Sequence, residues 1–442
     1  MTKKLVLVVI DGLTPAAFES AVEGGGAPTL AALHDAGRYG HAVSTFPSLT
    51  PVCLATLATG AHPDVHHIPH LVWYHRAERR LVEYGSSFGA VRAAGTRQAI
   101  RDAIVQMNAL HLSREAMTVF ESLEDAGLVT GAVNVPCYRG RTRHLPTLPG
   151  FGGPVEGPRR FFYYSLFESD VTGAPLAVRG RAEGSIDAYA AAVGRWLVTR
   201  DGFDFLFYYL PDYDFASHSL GPTGSSVALA RSDRAVGALV EAAGGLDEFL
   251  DRYALVLCSD HGQTRVDRPF RLEGALGDFR LHRPGIRRDS ELVVTASNRA
   301  GMVYLLPAAQ TDARSIAERL AREEALDAVL FREGDEAIAF RDGEELQFRE
   351  GADGWMGRAW RALSNPNAGD VIVSPAEGVE LTDLGGRHHV GGGSHGSLLD
   401  GDSTVPMLVV GTDAPAPASI ADVAPLVLEH FGVEAPAYAR AA

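Results

Sequence analysis

Leu5-Val6-Leu7-Val8-Val9-Ile10-Asp11-Gly12 sets six consecutive apolar residues against a carboxylate and a glycine. A run this short and this rich in Val and Leu fits a strand buried on both faces better than a helix. Asp11 then stands where the strand ends, and Gly12 permits a sharp exit. The preceding Met1-Thr2-Lys3-Lys4 gives the stretch the look of a secretion signal. The apolar run is shorter than the roughly 7–15 residues such a signal uses, however, and no small-residue cleavage site follows. The expectation is a first strand, with no segment that spans a membrane.

Four further apolar runs follow: Val129–Val135, Phe203–Leu210, Ala254–Ser259 and Val405–Val410. Between them lie helical patterns at Thr29–Asp35, Arg114–Ala126, Ser185–Thr199, Ser225–Ala243 and Ile420–Phe431. Strands alternating with helices predict an α/β fold, a largely parallel central sheet with helices on both faces. In such sheets, functional groups collect just past the carboxyl ends of the strands. Two regions break the alternation. Cys137–Ala182, with Phe161-Phe162-Tyr163-Tyr164 inside it, is rich in Gly, Pro and Arg and reads as loop. From about Thr264 the pattern becomes Leu292–Thr295, Met302–Leu306, a helix near Asp312–Glu324, Ala337–Phe340 and Glu345–Phe348, a small α+β insertion or cap. The expected division is residues 1–263 and 391–442 as the core, with 264–390 inserted.

Of the 442 residues, 46% are hydrophobic and 21% charged, which excludes wholesale disorder. A net charge of −15 argues against tracking along nucleic acid or an anionic membrane. A small positive pocket remains compatible with it, because a bound metal inverts the local sign. Cys53, Cys137 and Cys258 are odd in number, with no CxxC pair, and read as reduced thiols of a cytoplasmic protein. Cys53 lies inside a helical stretch and reads as core.

Candidate chemistry sits at the predicted strand ends. Thr50-Pro51 has the form of an N-cap followed by Pro at the first helical position, and Gly60 is a natural terminator. Thr50 would then lie beside unpaired helix amides, a place suited to phosphate or sulfate, with a plain cap as the alternative. Asp214 and His218, four residues apart, share one face if the backbone is helical; Asp212 competes with Asp214. Asp260-His261-Gly262 follows another strand, and His395 lies among glycines in Gly392-Gly393-Ser394-His395-Gly396. Three Asp, three His and a hydroxyl are ligands suited to zinc or manganese.

In order along the chain, Ile10-Asp11-Gly12, Pro47-Ser48-Leu49-Thr50-Pro51, Asp214 to Pro222, Ser259-Asp260-His261-Gly262 and Gly393-Ser394-His395-Gly396 resemble the alkaline phosphatase superfamily. Within it the chain most resembles the nucleotide pyrophosphatase/phosphodiesterase branch, the type I phosphodiesterases. The resemblance runs from Leu5 to about Val433, where Ile420–Leu428 is similar to the closing helix. It implies one metal held by Asp214, His218 and His395, a second held by Asp11, Asp260 and His261, and Thr50 as both nucleophile and ligand. It favours Asp214 over Asp212. It also implies two divalent ions, zinc with manganese as the alternative, and a small-molecule phosphate ester as substrate. Attack by Thr50 would give a covalent phosphothreonine that water then hydrolyses. Phosphomonoesterase, phosphonate hydrolase and phosphomutase activities, or a non-catalytic ligand-binding protein, are the alternatives.

The sequence also departs from that branch. Pro51 stands where an aromatic usually follows the nucleophile, and no Asn occupies the stretch Ile68-Pro69-His70-Leu71 where the branch carries one. His70 could donate to phosphate instead, or be an ordinary loop histidine. Trp73 and Tyr74, with His75 and Arg76, are candidates for the leaving-group pocket, as are Tyr138, Arg139, Arg141, Arg143, His144 and Phe161–Tyr164. Ordinary packing is the alternative for each.

Overall fold

Lys4–Ile10 is hydrogen-bonded on both sides, to Phe205–Leu210 and to Tyr253–Cys258, and both neighbours run parallel to it. The computed structural model describes residues 2–147, 153–169, 185–284 and 289–439. Leu5 to Ile10 are wholly buried, because the strand is covered on both faces. Leu5, Leu7 and Val9 meet Val52 and Leu57 of the helix Thr50–Thr59, Phe120 of Val119–Asp125 and Val427 of Val423–His430. Val6, Val8 and Ile10 meet Phe18, Leu30, Val193 and Val236 from the helices Pro15–Glu23, Pro28–Asp35, Ile186–Thr199 and Ser226–Ala243. Each such side chain contributes about 1.5–3 kcal/mol of transfer free energy.

The central sheet has eight strands, in the order Arg38–Val43, Thr404–Val410, Tyr253–Cys258, Lys4–Ile10, Phe205–Leu210, Thr130–Val133, Arg160–Tyr163 and Phe167–Ser169. Its middle is parallel, and the antiparallel pairings lie towards its two edges. Ile10 pairs with Leu210 and Val9 with Cys258, so the segments carrying Asp11, Asp214 and Asp260 leave the same end of the sheet. The aromatic stretch expected as loop is a sheet strand instead. Arg160–Tyr163 pairs with Thr130–Val133, and the Phe161 ring lies 4.5 Å from that of Tyr138. Clustered Gly, Pro and Arg around it masked Phe161 and Phe162, which are wholly buried in the core. Of the rest of that region, residues 148–152 and 170–184 lie outside the described residues.

A second, six-stranded antiparallel sheet has the order Leu292–Ser297, Ala300–Leu305, Val371–Pro375, Leu326–Glu333, Glu336–Arg341 and Glu344–Phe348. The helix Ala313–Leu320 covers one face through Ile316, Ala317 and Leu320. Leu326–Glu333, Val371–Pro375 and the helix Gly354–Leu363 are additions to the sequence reading. Asp327 interrupts the apolar pattern of the first of these, and its charge is met by Arg341, 3.1 Å away on the adjacent strand. The turn Asn298-Arg299 joins the sheet's first two strands and points this hairpin at the ends of the central strands. No helix among the described residues is long and apolar enough to cross a membrane.

Candidate active site and metal centre

Asp11 leaves the first strand with its backbone N–H on the Leu210 carbonyl (3.0 Å), and Gly12 turns the chain at φ 68°. A Cβ at Gly12 would stand 2.2 Å from the Gln263 side chain and 2.8 Å from an Asp214 carboxylate oxygen, so glycine is required there. The Gly12 N–H donates to Asp260 Oδ1 (3.2 Å), tying two strand ends together. Asp214 and His218 lie on the helix Asp212–Leu220, one turn apart, with Nε2 of His218 3.1 Å from Asp214 Oδ2. Asp212 faces elsewhere. Its carboxylate accepts from the amides of Ile186 (3.2 Å) and Asp187 (3.1 Å) at the start of the next helix in space.

All three histidines are held in the same way. Nδ1 of His218 donates to the Gly393 carbonyl (2.9 Å), that of His261 to Gly262 (3.0 Å), and that of His395 to Ser48 (2.8 Å). Nε2 of each therefore faces the common space, as metal-ligating imidazoles do when a backbone carbonyl fixes the ring. The His261 nitrogen is 3.2 Å from Asp11 Oδ1 and 3.5 Å from Asp260 Oδ2. Those two carboxylate oxygens are buried and accept no hydrogen bond. A buried acceptor without a donor is costly unless a cation meets it. The donor set, imidazole nitrogens with carboxylate oxygens, fits zinc or manganese.

Asp11, Asp260 and His261 present one atom each within 4.8 Å of one another, and so do Asp214, His261 and His395. His261 belongs to both trios. His218 reaches the second through Asp214 and packs its ring 5.4 Å from that of His395. Charge follows this crowding. Burial first, and the Asp214 charge next, push the Asp11 carboxyl well above its usual range; burial and Asp11 do the same to Asp260. Burial also opposes the Asp214 charge, but the adjoining His218 outweighs it and holds that carboxyl below its usual range. Burial lowers His218 and Asp214 more than reverses this, raising it to about 9. Burial, then His261, drives His395 well below the ordinary imidazole range.

Thr50 reaches the cluster from the start of the helix Thr50–Thr59. Its hydroxyl donates to His261 Nε2 over 3.1 Å. The helix starts one residue earlier than its cap signature implied: Leu49 is the N-cap, and Thr50 is the first helical residue. The Thr50 side chain therefore faces His261 and caps nothing. The donor arrangement is correspondingly thinner. Pro51 has no N–H, and the amides of Val52 (2.9 Å) and Cys53 (3.0 Å) both bond to the Leu49 carbonyl. Cys53 is buried core, as read.

A cavity of about 420 Å³ opens over the cluster. Asp11, Thr50, Asp214, His218 and His395 line it, with Leu71, Tyr84, Met107, Tyr163, Tyr164 and Phe215 as its apolar and aromatic wall. His70, Trp73 and Tyr74 are not among its lining residues. Nδ1 of His70 accepts from Val72 N–H (3.1 Å), and the ring is wholly buried. Trp73 packs edge-on to His111 at 5.3 Å, and Tyr74 against Tyr304 at 5.8 Å. Arg139 is likewise committed to a buried pair with Glu121 at 3.0 Å. Beyond the wall residues, the sequence reading also missed polar groups that line or brace the site, among them Asn298, His389, Arg387 and Glu380. His389 stacks on His218 at 4.1 Å and donates Nδ1 to Glu380 (2.6 Å), which also takes the Ser394 hydroxyl (2.7 Å). The His389 and Glu380 spacing carries no signal, since a folded-back loop brings them together.

Residues 5–398 match the sequence model of a family described as Type I phosphodiesterase / nucleotide pyrophosphatase. No curated protein matches the chain. Among solved structures, it is similar to phosphonoacetate hydrolase from Sinorhizobium meliloti 1021 in complex with phosphonoformate. The identity is 17% and the TM-score 0.61, over 97% of this chain and 96% of that one. It is also similar to an inactive form of murine ectonucleotide pyrophosphatase / phosphodiesterase 5 in complex with AMP. There the identity is 14% and the TM-score 0.63, over 98% of this chain and 96% of that one.

Proposed function

The chain belongs to the type I phosphodiesterase / nucleotide pyrophosphatase family of the alkaline phosphatase superfamily, a family of phosphoester hydrolases, and on that premise we propose that it is a two-metal phosphodiesterase acting through Thr50. The observation that carries this reading is the pair of orphaned oxygens, Asp11 Oδ1 and Asp260 Oδ2, both beside His261 Nε2, which also takes the Thr50 hydroxyl. Asp214, His218 and His395 would hold one ion and Asp11, Asp260 and His261 the other, with His261 close to both. Two divalent cations, zinc or manganese, would neutralise the carboxylates and lower the pKa of the Thr50 hydroxyl.

The residues themselves divide the remaining work. Thr50 Oγ1 attacks phosphorus in line with the leaving oxygen, whose bond to phosphorus breaks, leaving a phosphothreonine. Water then attacks the same phosphorus, the bond to Oγ1 breaks, and a phosphomonoester leaves. Position at the helix start gives Thr50 its own N–H as a donor towards a phosphoryl oxygen. The aromatic wall of Tyr84, Tyr163, Tyr164 and Phe215 suits an organic substituent on a small phosphate ester.

Turnover of bis-p-nitrophenyl phosphate, p-nitrophenyl phosphate and a phosphonate ester by the zinc-loaded protein tests the reading. The diester is expected to give the highest kcat/KM. Preference for the monoester or the phosphonate would move the assignment to those activities on the same centre, and no turnover of any would overturn hydrolysis by this site.

A further inference from the structure

Asn298 sits at the tip of the hairpin Leu292–Ser297/Ala300–Leu305, far in sequence from every residue of the proposed centre, yet it lines the same cavity. Its backbone is left-handed, at φ 53°, a conformation Asn tolerates better than most side chains. The residue is 7% exposed, and its side chain is held at both ends. Oδ1 accepts the Ser297 hydroxyl (3.1 Å), and Nδ2 lies 2.9 Å from His395 Nε2. An amide nitrogen carries two N–H donors, and one neighbour at His395 occupies one of them.

The tip is fixed as well as placed. The Leu381 N–H donates to the Asn298 carbonyl (2.8 Å), and the Arg299 N–H donates to the His395 carbonyl (2.8 Å). Arg299 is wholly buried and pairs with Asp402, 3.1 Å away and equally buried. Asp402 in turn accepts from the Ser397 amide (3.0 Å) and hydroxyl (2.6 Å), just past His395. The second sheet is thus fastened to the His395 loop at the cavity, and its contribution there is a preorganised neutral amide.

We propose that Asn298 is a substrate-contacting residue of this site, donating from Nδ2 to a non-bridging oxygen of the phosphoryl group; the inference rests on the two-metal reading above. When His395 Nε2 serves as a ligand its lone pair is engaged, and the Asn298 N–H that now meets it would be released to the cavity that Asn298 lines. No second side-chain amide lines this cavity among the described residues. His70, the alternative donor weighed from sequence, is buried outside it. Arg299 is a positioning residue that acts through Asn298 and the His395 loop.

The test compares wild type with Asn298→Gly, which keeps the left-handed turn, and Asn298→Asp, which keeps the shape and replaces the donor. Zinc content, inorganic phosphate affinity by calorimetry, and kcat/KM for bis-p-nitrophenyl phosphate are read on the zinc-loaded proteins. Both variants are expected to keep wild-type zinc content. Phosphate binding should weaken about tenfold in Asn298→Gly and more in Asp, with kcat/KM falling about 10²–10³-fold. Phosphate affinity and kcat/KM within twofold of wild type would overturn the proposal. So would loss of zinc from Asn298→Gly, which would make the side chain a prop for His395. A wild-type protein that takes up no zinc overturns the centre itself and this proposal with it, which is a distinguishable result.

Discussion

Nε2 of His261 stands 3.1 Å from the Thr50 hydroxyl and 3.2 Å from Asp11 Oδ1, so a single imidazole nitrogen separates the proposed nucleophile from the end of the first strand. Thr50 is brought there by a helix start, closed by the Val52 and Cys53 amides on the Leu49 carbonyl, and His261 by a strand end, with its ring Nδ1 held by the Gly262 carbonyl. Truncation of Thr50 therefore removes a reacting group without disturbing what surrounds it. Thr50→Ala is expected to lose turnover by on the order of 10⁴–10⁶-fold while holding its metal content nearly unchanged. Steady-state kinetics with metal analysis checks this, and a rate within tenfold of wild type rules out the covalent route.

Asp260 gives a prediction whose sign depends on the cation. In chelated protein, Asp260→Asn relieves one of three buried carboxyls, so its Tm should equal or exceed that of wild type. Added zinc should raise the wild-type Tm, in proportion to about 4 kcal/mol at a thousandfold excess over Kd, and leave the variant almost unmoved. Scanning calorimetry with and without zinc decides it. Equal zinc shifts in the two proteins would take Asp260 out of the ligand set.

Arg299 and Asp402 are both wholly buried, so removing one partner leaves the other charged and unpaired. Arg299→Met or Asp402→Ala is expected to destabilise by about 3–5 kcal/mol. The double variant should cost less than the two singles together, by denaturant titration. Additive losses would mean that the pair is not the link between the second sheet and the His395 loop.

His70 predicts an acid sensitivity. Burial lowers its pKa from the ordinary imidazole value to about 4, so the folded protein holds it neutral while the unfolded chain protonates near 6.5. A depressed folded value means that its stability contribution is complete above pH 6.5 and is lost as pH falls towards 4. The loss is about 1.4 kcal/mol per pH unit across that window. His70→Gln should flatten the fall in Tm between pH 6.5 and 4, and a profile parallel to wild type would contradict neutral burial.

The α/β fold was legible because its signal is local: a strand buried on both faces reads as an unbroken apolar run, and Lys4–Ile10, Phe205–Leu210 and Tyr253–Cys258 all do. Groups now found together at the cluster were visible for a related reason. Asp11, Asp214 and Asp260 each follow such a run, and the parallel register brings all three to one end. What escaped depends on contacts distant in sequence. Asn298-Arg299 reads as an ordinary hairpin turn until His395 and Asp402 are brought against it. Phe161 and its neighbours read as loop because the signal of a four-residue strand is diluted by the Gly and Pro around it. Trp73 and Tyr74 offered the right chemistry for a pocket wall, but their rings pack against His111 and Tyr304. Composition cannot tell an aromatic that faces a cavity from one that faces another aromatic.

The most direct measurement is the number of divalent ions per chain by mass spectrometry, on the same preparation assayed before chelation, after it, and after zinc or manganese is restored. Two ions per chain, with activity lost on chelation and regained on restoration, is the predicted result. Undiminished phosphoester hydrolysis by protein shown to carry no divalent ion would contradict it.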